Sequence, residues 1–293
     1  MTSTIDDMDR VGHACLVPDS DDHLWEATAT WVAGGLAAGE RVVYFEDETS
    51  GAMLGRLADD RVAVDSAIAD GGLVIVPTAE TRRACAFPVD DIVDIVRTEI
   101  LKSEVGGWPG IRLAGESAGM LSIGGLRKVV EYERAIDALL AEHPAARMLC
   151  RYDRRFFDDE AVAAMRALHT TELVIPAIYD DTLLRVTGTW PTTLRFAGEI
   201  DLSNRPQIRR VLDRALDAAL RSPSAATDIT IDLSSLRFID VGGAVELVHA
   251  AESFPETHRM VLVGARPRVL RVLDRCGAPF AARLDVLPRG EDR

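Results

Sequence analysis

The chain of 293 residues carries 33 Lys and Arg against 47 Asp and Glu, and its formal net charge is -14 at pH 7. This charge argues against a nucleic-acid-binding protein, because neutralising phosphates requires a basic face. No stretch approaches the roughly 20 apolar residues that cross a bilayer, and the acidic start MTSTIDDMDR does not look like a signal peptide. We therefore expect a cytoplasmic protein that binds neither nucleic acid nor membrane and is long enough for two domains.

The cysteines are widely scattered, at Cys15, Cys85, Cys150 and Cys276. They form no CxxC pair, and no histidine stands at ligand spacing from any of them. This pattern predicts reduced thiols, most of them in hydrophobic cores. We expect no disulfide framework, no zinc framework and no cofactor.

Apolar runs alternate with helical patterns through residues 10–176. Strands are predicted at 11–17, 41–48, 71–77, 110–116, 146–152 and 171–176. The segments between them include amphipathic helices of ten or more residues, at 23–39, from Val89 onward, at 126–143 and at 158–169. Such alternation predicts βαβ units and a doubly wound, mostly parallel α/β sheet that is covered on both faces.

Ligands of doubly wound sheets bind where the strands end. The polar residues predicted at that edge are Asp19, Glu46, Asp47, Thr78, Glu116, Tyr152 and Arg154. Such a set could hold a metal or a polar ligand, or could consist only of solvated loop side chains. We predict a small-molecule site walled by Glu46, Glu116 and Tyr152, with His13 and Cys15 packed behind it and with no metal. His13 is either a contributor to that site or a hydrogen-bonded core histidine.

Five segments of the first half resemble the MEDS sensory domain, in the order that this family has them. They are HACLV, GLAAGERVVYFEDE, GWPGIRLAGE, VVEYERAIDALL and MLCRYDRRFF, within residues 12–175. The resemblance implies a sensory role and a RecA-like α/β core without a working phosphate loop. The residues agree on the last point, because the chain has no GxxxxGK[ST] and no GxGxxG after a strand. Ser117 in GESAG also misses the GxSxG nucleophile elbow, so we expect no ATP binding and no enzymatic activity.

The second half is predicted as a linker at 177–181 followed by a smaller α/β domain at 182–288. Its strands are predicted at 182–188, 192–200, 229–233, 258–265 and 282–288, and its helices at 204–222, 241–253 and 266–277. Asp240 stands at an N-cap position, where its carboxylate accepts from the first turn of a helix. Gly242 and Gly243 follow and are expected to leave that helix start bare, so that another backbone can approach it.

The segment DLSSLRFIDVGG, together with GEID at 198–201, resembles the signature of STAS domains of the anti-sigma-factor-antagonist type. In that family a phosphorylatable Ser follows the Asp, and here Val241 takes its place. The resemblance implies that an anti-sigma factor, usually a serine kinase, docks at Asp240, Val241, Gly242 and Gly243. Ser235 is placed beside this surface, and Ser234 or Ser235 is the nearest available substitute for the missing acceptor.

Together the two resemblances predict a non-enzymatic signalling regulator that acts on transcription by partner switching. A sensor-like domain would control an antagonist-like domain that lacks the phosphorylation switch. Two alternatives remain open from the sequence. One is a scaffold subunit of a signalling complex, and the other is a degenerate RecA-like nucleotide-binding ATPase.

Overall fold

A computed structural model of the protein describes residues 2–3, 12–46, 50–188, 192–221 and 228–288. The chain forms two compact units that divide between Ile175 and Pro176. Within the described ranges, no helix combines the length and the hydropathy that a membrane span requires.

The first unit contains seven strands and seven helices among its described residues. The strands are β1 (Thr2–Ser3), β2 (His13–Leu16), β3 (Arg41–Phe45), β4 (Leu73–Val76), β5 (Ile111–Glu116), β6 (Ala146–Arg151) and β7 (Thr171–Leu173). The helices are α1 (Asp21–Ala37), α2 (Ser50–Asp59), α3 (Val64–Ala69), α4 (Thr78–Cys85), α5 (Val89–Val105), α6 (Ala118–Glu142) and α7 (Asp159–Leu168).

The strands of this unit form one parallel sheet in the order β1-β7-β2-β6-β5-β3-β4. Alternate residues of β3 point to opposite faces, as the pleat requires. Val42 and Tyr44 belong to a core with α1 and α2, whereas Val43 belongs to a second core with α5, α6 and α7. Helices on both faces of a parallel sheet confirm the predicted doubly wound α/β class.

The structure has one helix that the sequence pattern did not indicate, and another that begins earlier than predicted. Residues 78–85 form α4, because Glu46 accepts hydrogen bonds at its start from the amide and hydroxyl of Thr78. Helix α6 begins at Ala118 and is interrupted at Gly125, whose φ of 67° lies in the left-handed region. Both added segments lie at the carboxyl edge of the sheet and form walls of the cavity described below.

The second unit contains seven strands and three helices among its described residues. The strands are β8 (Tyr179–Asp180), β9 (Leu184–Thr187), β10 (Thr193–Ile200), β11 (Asp228–Asp232), β12 (Leu236–Ile239), β13 (Arg259–Ala265) and β14 (Leu284–Pro288). The helices are α8 (Arg205–Arg221), α9 (Val241–Glu252) and α10 (Pro267–Arg275), followed by a 3-10 turn at Ala278–Phe280.

These strands form a mixed sheet in the order β14-β13-β11-β10-β9-β8, in which β8, β9 and β10 run antiparallel in succession and the remaining pairs are parallel. Strand β8 lies inside the segment predicted as a linker, because Tyr179 and Asp180 pair with Val186 and Arg185. A register shift at Gly198 lets β12 take over from β11 as the neighbour of β10. This handover brings the end of β12 beside Ile200.

Candidate functional site

A cavity of about 420 Å³ opens at the carboxyl edge of the first unit's sheet. Its polar walls include Glu46, Thr78, Glu116, Asp153 and Arg155. Glu46 follows β3 and Glu116 ends β5, so two of the predicted wall residues do meet at this edge. Arg155 joins them from the loop after β6 and adds a positive charge to the acidic walls.

Two of the three carboxylates in the cavity wall, those of Glu46 and Glu116, accept hydrogen bonds from the protein's own backbone. Glu116 Oε1 accepts from the amide of Ala118 at 3.1 Å, at the start of α6. Glu46 Oε2 accepts from the amide of Thr78 at 3.0 Å, at the start of α4. These bonds hold both carboxylates in place at the wall of the cavity.

The other predicted members of this site lie elsewhere. Tyr152 is completely buried. It stands two residues after Cys150 in extended chain, so both side chains point to the same, inward face of the sheet. His13 is also buried and contacts Cys150 rather than the cavity. Asp19 and Arg154 are exposed. Asp47 lies outside the described residues.

Cys15 packs in the hydrophobic core beneath α5, α6 and α7, as the sequence suggested. Burial, with a smaller contribution from Glu172, raises the pKa of its thiol to about 12. The thiol is therefore protonated at neutral pH and is a poor nucleophile, since the thiolate is the reactive form.

A second, smaller cavity of about 50 Å³ lies deeper in the same unit. Its walls are mainly apolar and come from six elements, with Phe45, Cys85, Ile92, Val96, Met120, Tyr132, Met148 and Cys150 among them. No local signal in the sequence indicates this cavity, because its lining residues are the ordinary core positions of their strands and helices.

His13 belongs to a buried cluster with Glu133, Cys150 and His169. Burial by itself raises the pKa of Glu133, but the adjacent imidazoles of His13 and His169 outweigh it and lower this pKa to about 2. The sequence analysis identified only His13, because the other three residues come from distant parts of the chain. His13 is therefore a hydrogen-bonded core histidine, one of the two roles expected for it.

Helix α1, which follows β2, does not offer a phosphate site. Ser20 caps α1 by accepting from the amide of His23 at 3.2 Å, and the first turn carries Asp21 and Asp22. Those two negative charges oppose an anion at this helix start, where the helix dipole would otherwise favour one.

In the second unit, Asp240 caps α9 as predicted. Its Oδ1 accepts from the amide of Gly243 at 2.7 Å and from Nε of Arg205 at 3.2 Å, while Nη2 of Arg205 donates to Oδ2. Burial alone would raise the pKa of Asp240, but the bonds from Arg205 and Gly243 outweigh it and lower this pKa. The cap is therefore a charged carboxylate paired with a guanidinium.

The expectation of a bare helix start is wrong. A Cβ on Gly242 would lie 2.2 Å from Cζ of Arg205, whose guanidinium covers this glycine. A Cβ on Gly243 would lie 2.3 Å from Cγ2 of Ile200, and Gly243 is buried. Both glycines make room for the protein's own side chains rather than for a partner.

The two serines of the preceding loop are also inside the fold. Ser235 is 5% exposed, and its hydroxyl accepts from Arg195 at 2.8 Å. Ser234 is 8% exposed and donates to Asp232. The placement of Ser235 on a docking surface is therefore wrong, because the turn between β11 and β12 directs it inward.

Val241 is 66% exposed, whereas Asp240 and Gly242 on either side of it are half-buried. Two other exposed apolar residues belong to the same edge, Leu202 at 73% and Phe238 at 48%. Ile200 pairs with Ile239, so Leu202 and Val241 each follow the end of a neighbouring strand by two residues. We call Leu202, Phe238 and Val241 the Val241 surface.

The Asp240 cap should contribute to the stability of the second unit. Replacing Asp240 with Ala should lower the free energy of unfolding of the second unit by about 1–2 kcal/mol, the usual cost of a lost N-cap. Asp240→Asn should cost less, because an amide oxygen still caps the helix. Since the folded-state pKa is lowered, the advantage of Asp over Asn is complete above the unfolded pKa of about 3.9 and is lost as pH falls through the folded value.

Chemical denaturation of the wild type and Asp240→Asn between neutral and acidic pH measures this difference. A difference in stability that stays constant down to the acid end would contradict the ion pair with Arg205.

Comparison with known proteins agrees with both halves of this description. The family described as MEDS, MEthanogen/methylotroph, DcmR Sensory domain, matches residues 12–170, and the STAS domain matches residues 183–284. No curated protein sequence matches the chain.

Solved structures similar to the chain include the KaiC-like protein PH0186 from Pyrococcus horikoshii OT3, at 12% identity and a TM-score of 0.43, over 64% of this chain and 78% of that one. The flagellar accessory protein FlaH from Methanocaldococcus jannaschii is similar at 9% identity and a TM-score of 0.42, over 64% and 77%. The MEDS match spans more than half of the 293 residues. The chain therefore belongs to the MEDS family and carries a STAS domain in its second half.

Proposed function

We propose that this protein is a signalling regulator whose STAS domain binds an anti-sigma factor, of the serine-kinase type, through the Val241 surface. The observation that carries the proposal is the exposure of Val241 at the first position of α9. A residue at that position would be the first to meet a partner, and it has no hydroxyl to phosphorylate.

The charges next to Val241 favour an apolar contact. Asp240 is neutralised by Arg205, so the helix start presents no net charge from this pair. Burying the three apolar side chains of the Val241 surface removes them from water, at about 25 cal/mol per Å² of apolar area. A partner would therefore gain free energy here without having to desolvate an unpaired charge.

The first unit supplies the input in this proposal. Its cavity of about 420 Å³ falls within the usual range for small-molecule sites, roughly 300–1,000 Å³. Carboxylates from Glu46 and Glu116 and the guanidinium of Arg155 line it. This mixed lining suits a polar ligand with hydrogen-bond donors. Because Val241 cannot be phosphorylated, we propose that binding of this ligand regulates the protein instead.

Val241→Glu should weaken binding of the cognate serine-kinase anti-sigma factor at least about tenfold, which corresponds to about 1.4 kcal/mol. The new carboxylate would have to be desolvated inside an apolar contact. Val241→Ser should keep binding and gain phosphorylation by that kinase. Titration calorimetry with the purified partner, and phosphate incorporation followed by mass spectrometry, measure the two effects.

Leu220→Glu is the matched control. Leu220 is 51% exposed near the other end of α8, about 22 Å along the helix from Arg205. The Leu220→Glu substitution adds the same negative charge to the second unit, at a position outside the Val241 surface. If Leu220→Glu and Val241→Glu weaken partner binding equally, the Val241 surface is not the binding site. If the kinase phosphorylates Ser234 or Ser235 of the wild-type protein, the phosphorylation switch has moved to that serine.

A further inference from the structure

Four ligand-type side chains from four elements meet inside the first unit. His13 begins β2, Glu133 lies on α6, Cys150 lies on β6, and His169 directly follows α7. Their exposed fractions are 7%, 1%, 1% and 8%, so water does not solvate them to any useful extent. A cluster of this polarity needs internal partners, because burying polar groups without them is costly.

Four of the six distances between these ligand atoms are close to those around a single tetrahedral ion. Nε2 of His13 lies 3.1 Å from Nε2 of His169, 3.2 Å from Oε2 of Glu133 and 3.4 Å from Sγ of Cys150. Nε2 of His169 lies 3.6 Å from Oε2 of Glu133, and all four ligand atoms lie within 4.8 Å of one another. Bonds of about 2.0–2.3 Å to a tetrahedral zinc ion place ligand atoms about 3.3–3.6 Å apart.

The hydrogen bonds within the protein leave one acceptor of this cluster without a partner. Oε2 of Glu133 is buried without a hydrogen-bond partner among the described residues. The single hydrogen that a neutral His13 can carry on Nε2 faces three acceptors, on His169, Glu133 and Cys150. A cation at their centre would satisfy all of these lone pairs at once.

Hydrogen bonds from outside the cluster orient two of its side chains, His169 and Glu133, toward that centre. Nδ1 of His169 lies 2.9 Å from the carbonyl oxygen of Met165, to which it donates, and this leaves the lone pair of Nε2 directed into the cluster. Ser117 donates to Oε1 of Glu133 at 3.4 Å, which leaves Oε2 for the cluster. Oδ1 of Asp137 lies 3.5 Å from Nδ1 of His13. Metal-binding histidines and carboxylates are held by outer partners of this kind.

We propose that His13, Glu133, Cys150 and His169 bind one Zn²⁺ ion in a closed tetrahedral site. The ligand set of one thiolate, two imidazoles and one carboxylate suits zinc among the common divalent ions. One thiolate and one carboxylate neutralise its double charge, so the filled site is uncharged within the core. With four protein ligands it keeps no open position, and its role is to tie β2, β6, α6 and the end of α7 together.

The test is a metal titration of the full chain, stripped with a chelator and then dialysed. With Zn²⁺, elemental analysis should find about one ion per chain, and the thermal midpoint should rise because the ion binds only the folded state. With Co²⁺ in its place, visible bands of a tetrahedral complex and a thiolate-to-metal charge-transfer band should appear. Cys150→Ser should abolish the charge-transfer band and the rise in the midpoint, and His169→Gln should abolish stoichiometric binding.

Cys15→Ser is the matched control, because Cys15 is equally buried at 1% and lies opposite Cys150 on the neighbouring strand. It should bind Zn²⁺ and Co²⁺ as the wild type does. Ser117→Ala should weaken binding by about 10- to 100-fold, as the loss of an outer partner does. The proposal is overturned if the folded wild type takes up neither metal, or if the charge-transfer band survives in Cys150→Ser and disappears in Cys15→Ser.

Discussion

Replacing Glu40 with Gln should lower the free energy of unfolding of the first unit by about 3–5 kcal/mol, the usual cost of breaking a buried ion pair. Arg112 is only 1% exposed, and its Nε lies 2.5 Å from Oε2 of Glu40. Arg147 donates to the other oxygen of the same carboxylate. Gln keeps the shape but removes the charge, so a buried guanidinium on β5 loses its counter-ion.

Urea denaturation followed by tryptophan fluorescence measures this loss, because Trp25, Trp31 and Trp108 all belong to the first unit. The guanidinium of Arg112 lies 5.2 Å from the centre of the Trp31 ring, so fluorescence reports directly on its surroundings.

Asp159→Asn is the control for the Glu40 variant. Asp159 pairs with Arg154 at 2.7 Å, but the two side chains are 94% and 42% exposed. Exposed ion pairs contribute about 0–1 kcal/mol. A loss for Glu40→Gln no larger than that for Asp159→Asn would show that the carboxylate of Glu40 does not hold Arg112 in the core.

Gly243→Val should destabilise the second unit by about 2–4 kcal/mol. Its Cβ would overlap Cγ2 of Ile200 at 2.3 Å and approach Oδ1 of Asp240 at 3.2 Å. Ile200 is completely buried and cannot move aside. Overpacking of a core costs about 1–3 kcal/mol, and displacement of the Asp240 cap adds about 1 kcal/mol.

Gly242→Ala provides the comparison. Its Cβ would meet the guanidinium of Arg205, which is the end of a flexible side chain that is 29% exposed. Arg205 can swing away, so we expect a loss below about 1 kcal/mol, partly offset by the better helix propensity of Ala. Scanning calorimetry, with hydrogen exchange of the β10 amides to identify the unit that unfolds, distinguishes the two variants. Equal stability of both variants would contradict the packing role of Gly243.

These two glycines change how a binding defect should be interpreted. The sequence predicts that a bulky residue at position 243 blocks a partner by steric means. The structure places that residue against Ile200, so lost binding in such a variant follows from a damaged fold. Val241 is the position where a substitution tests the contact without disturbing the core.

Local patterns in the sequence were sufficient for most of the fold. Strand alternation and helical periodicity depend on residues a few positions apart, so the parallel sheet of the first unit and the helices α1, α5 and α7 follow from the sequence alone. The Asp240 cap is equally local, because an N-cap binds the amide three residues ahead. The missing hydroxyl at Val241 is likewise visible in the sequence.

The sequence by itself determined the α/β class of both units, the Asp240 cap at the start of α9 and the absence of a phosphoacceptor at Val241. Only the tertiary structure decided that Arg205 and Ile200 fill the space at Gly242 and Gly243, because that space depends on the distance between α8, β10 and α9. The tertiary structure also decided that Glu46 and Glu116 line one cavity and that Tyr152 lies outside it. The register of a strand determines toward which face of the sheet each of its side chains points. The cluster of His13, Glu133, Cys150 and His169 was inaccessible to sequence reasoning for the same reason: its four elements are remote along the chain and become neighbours only when the sheet and its helices pack.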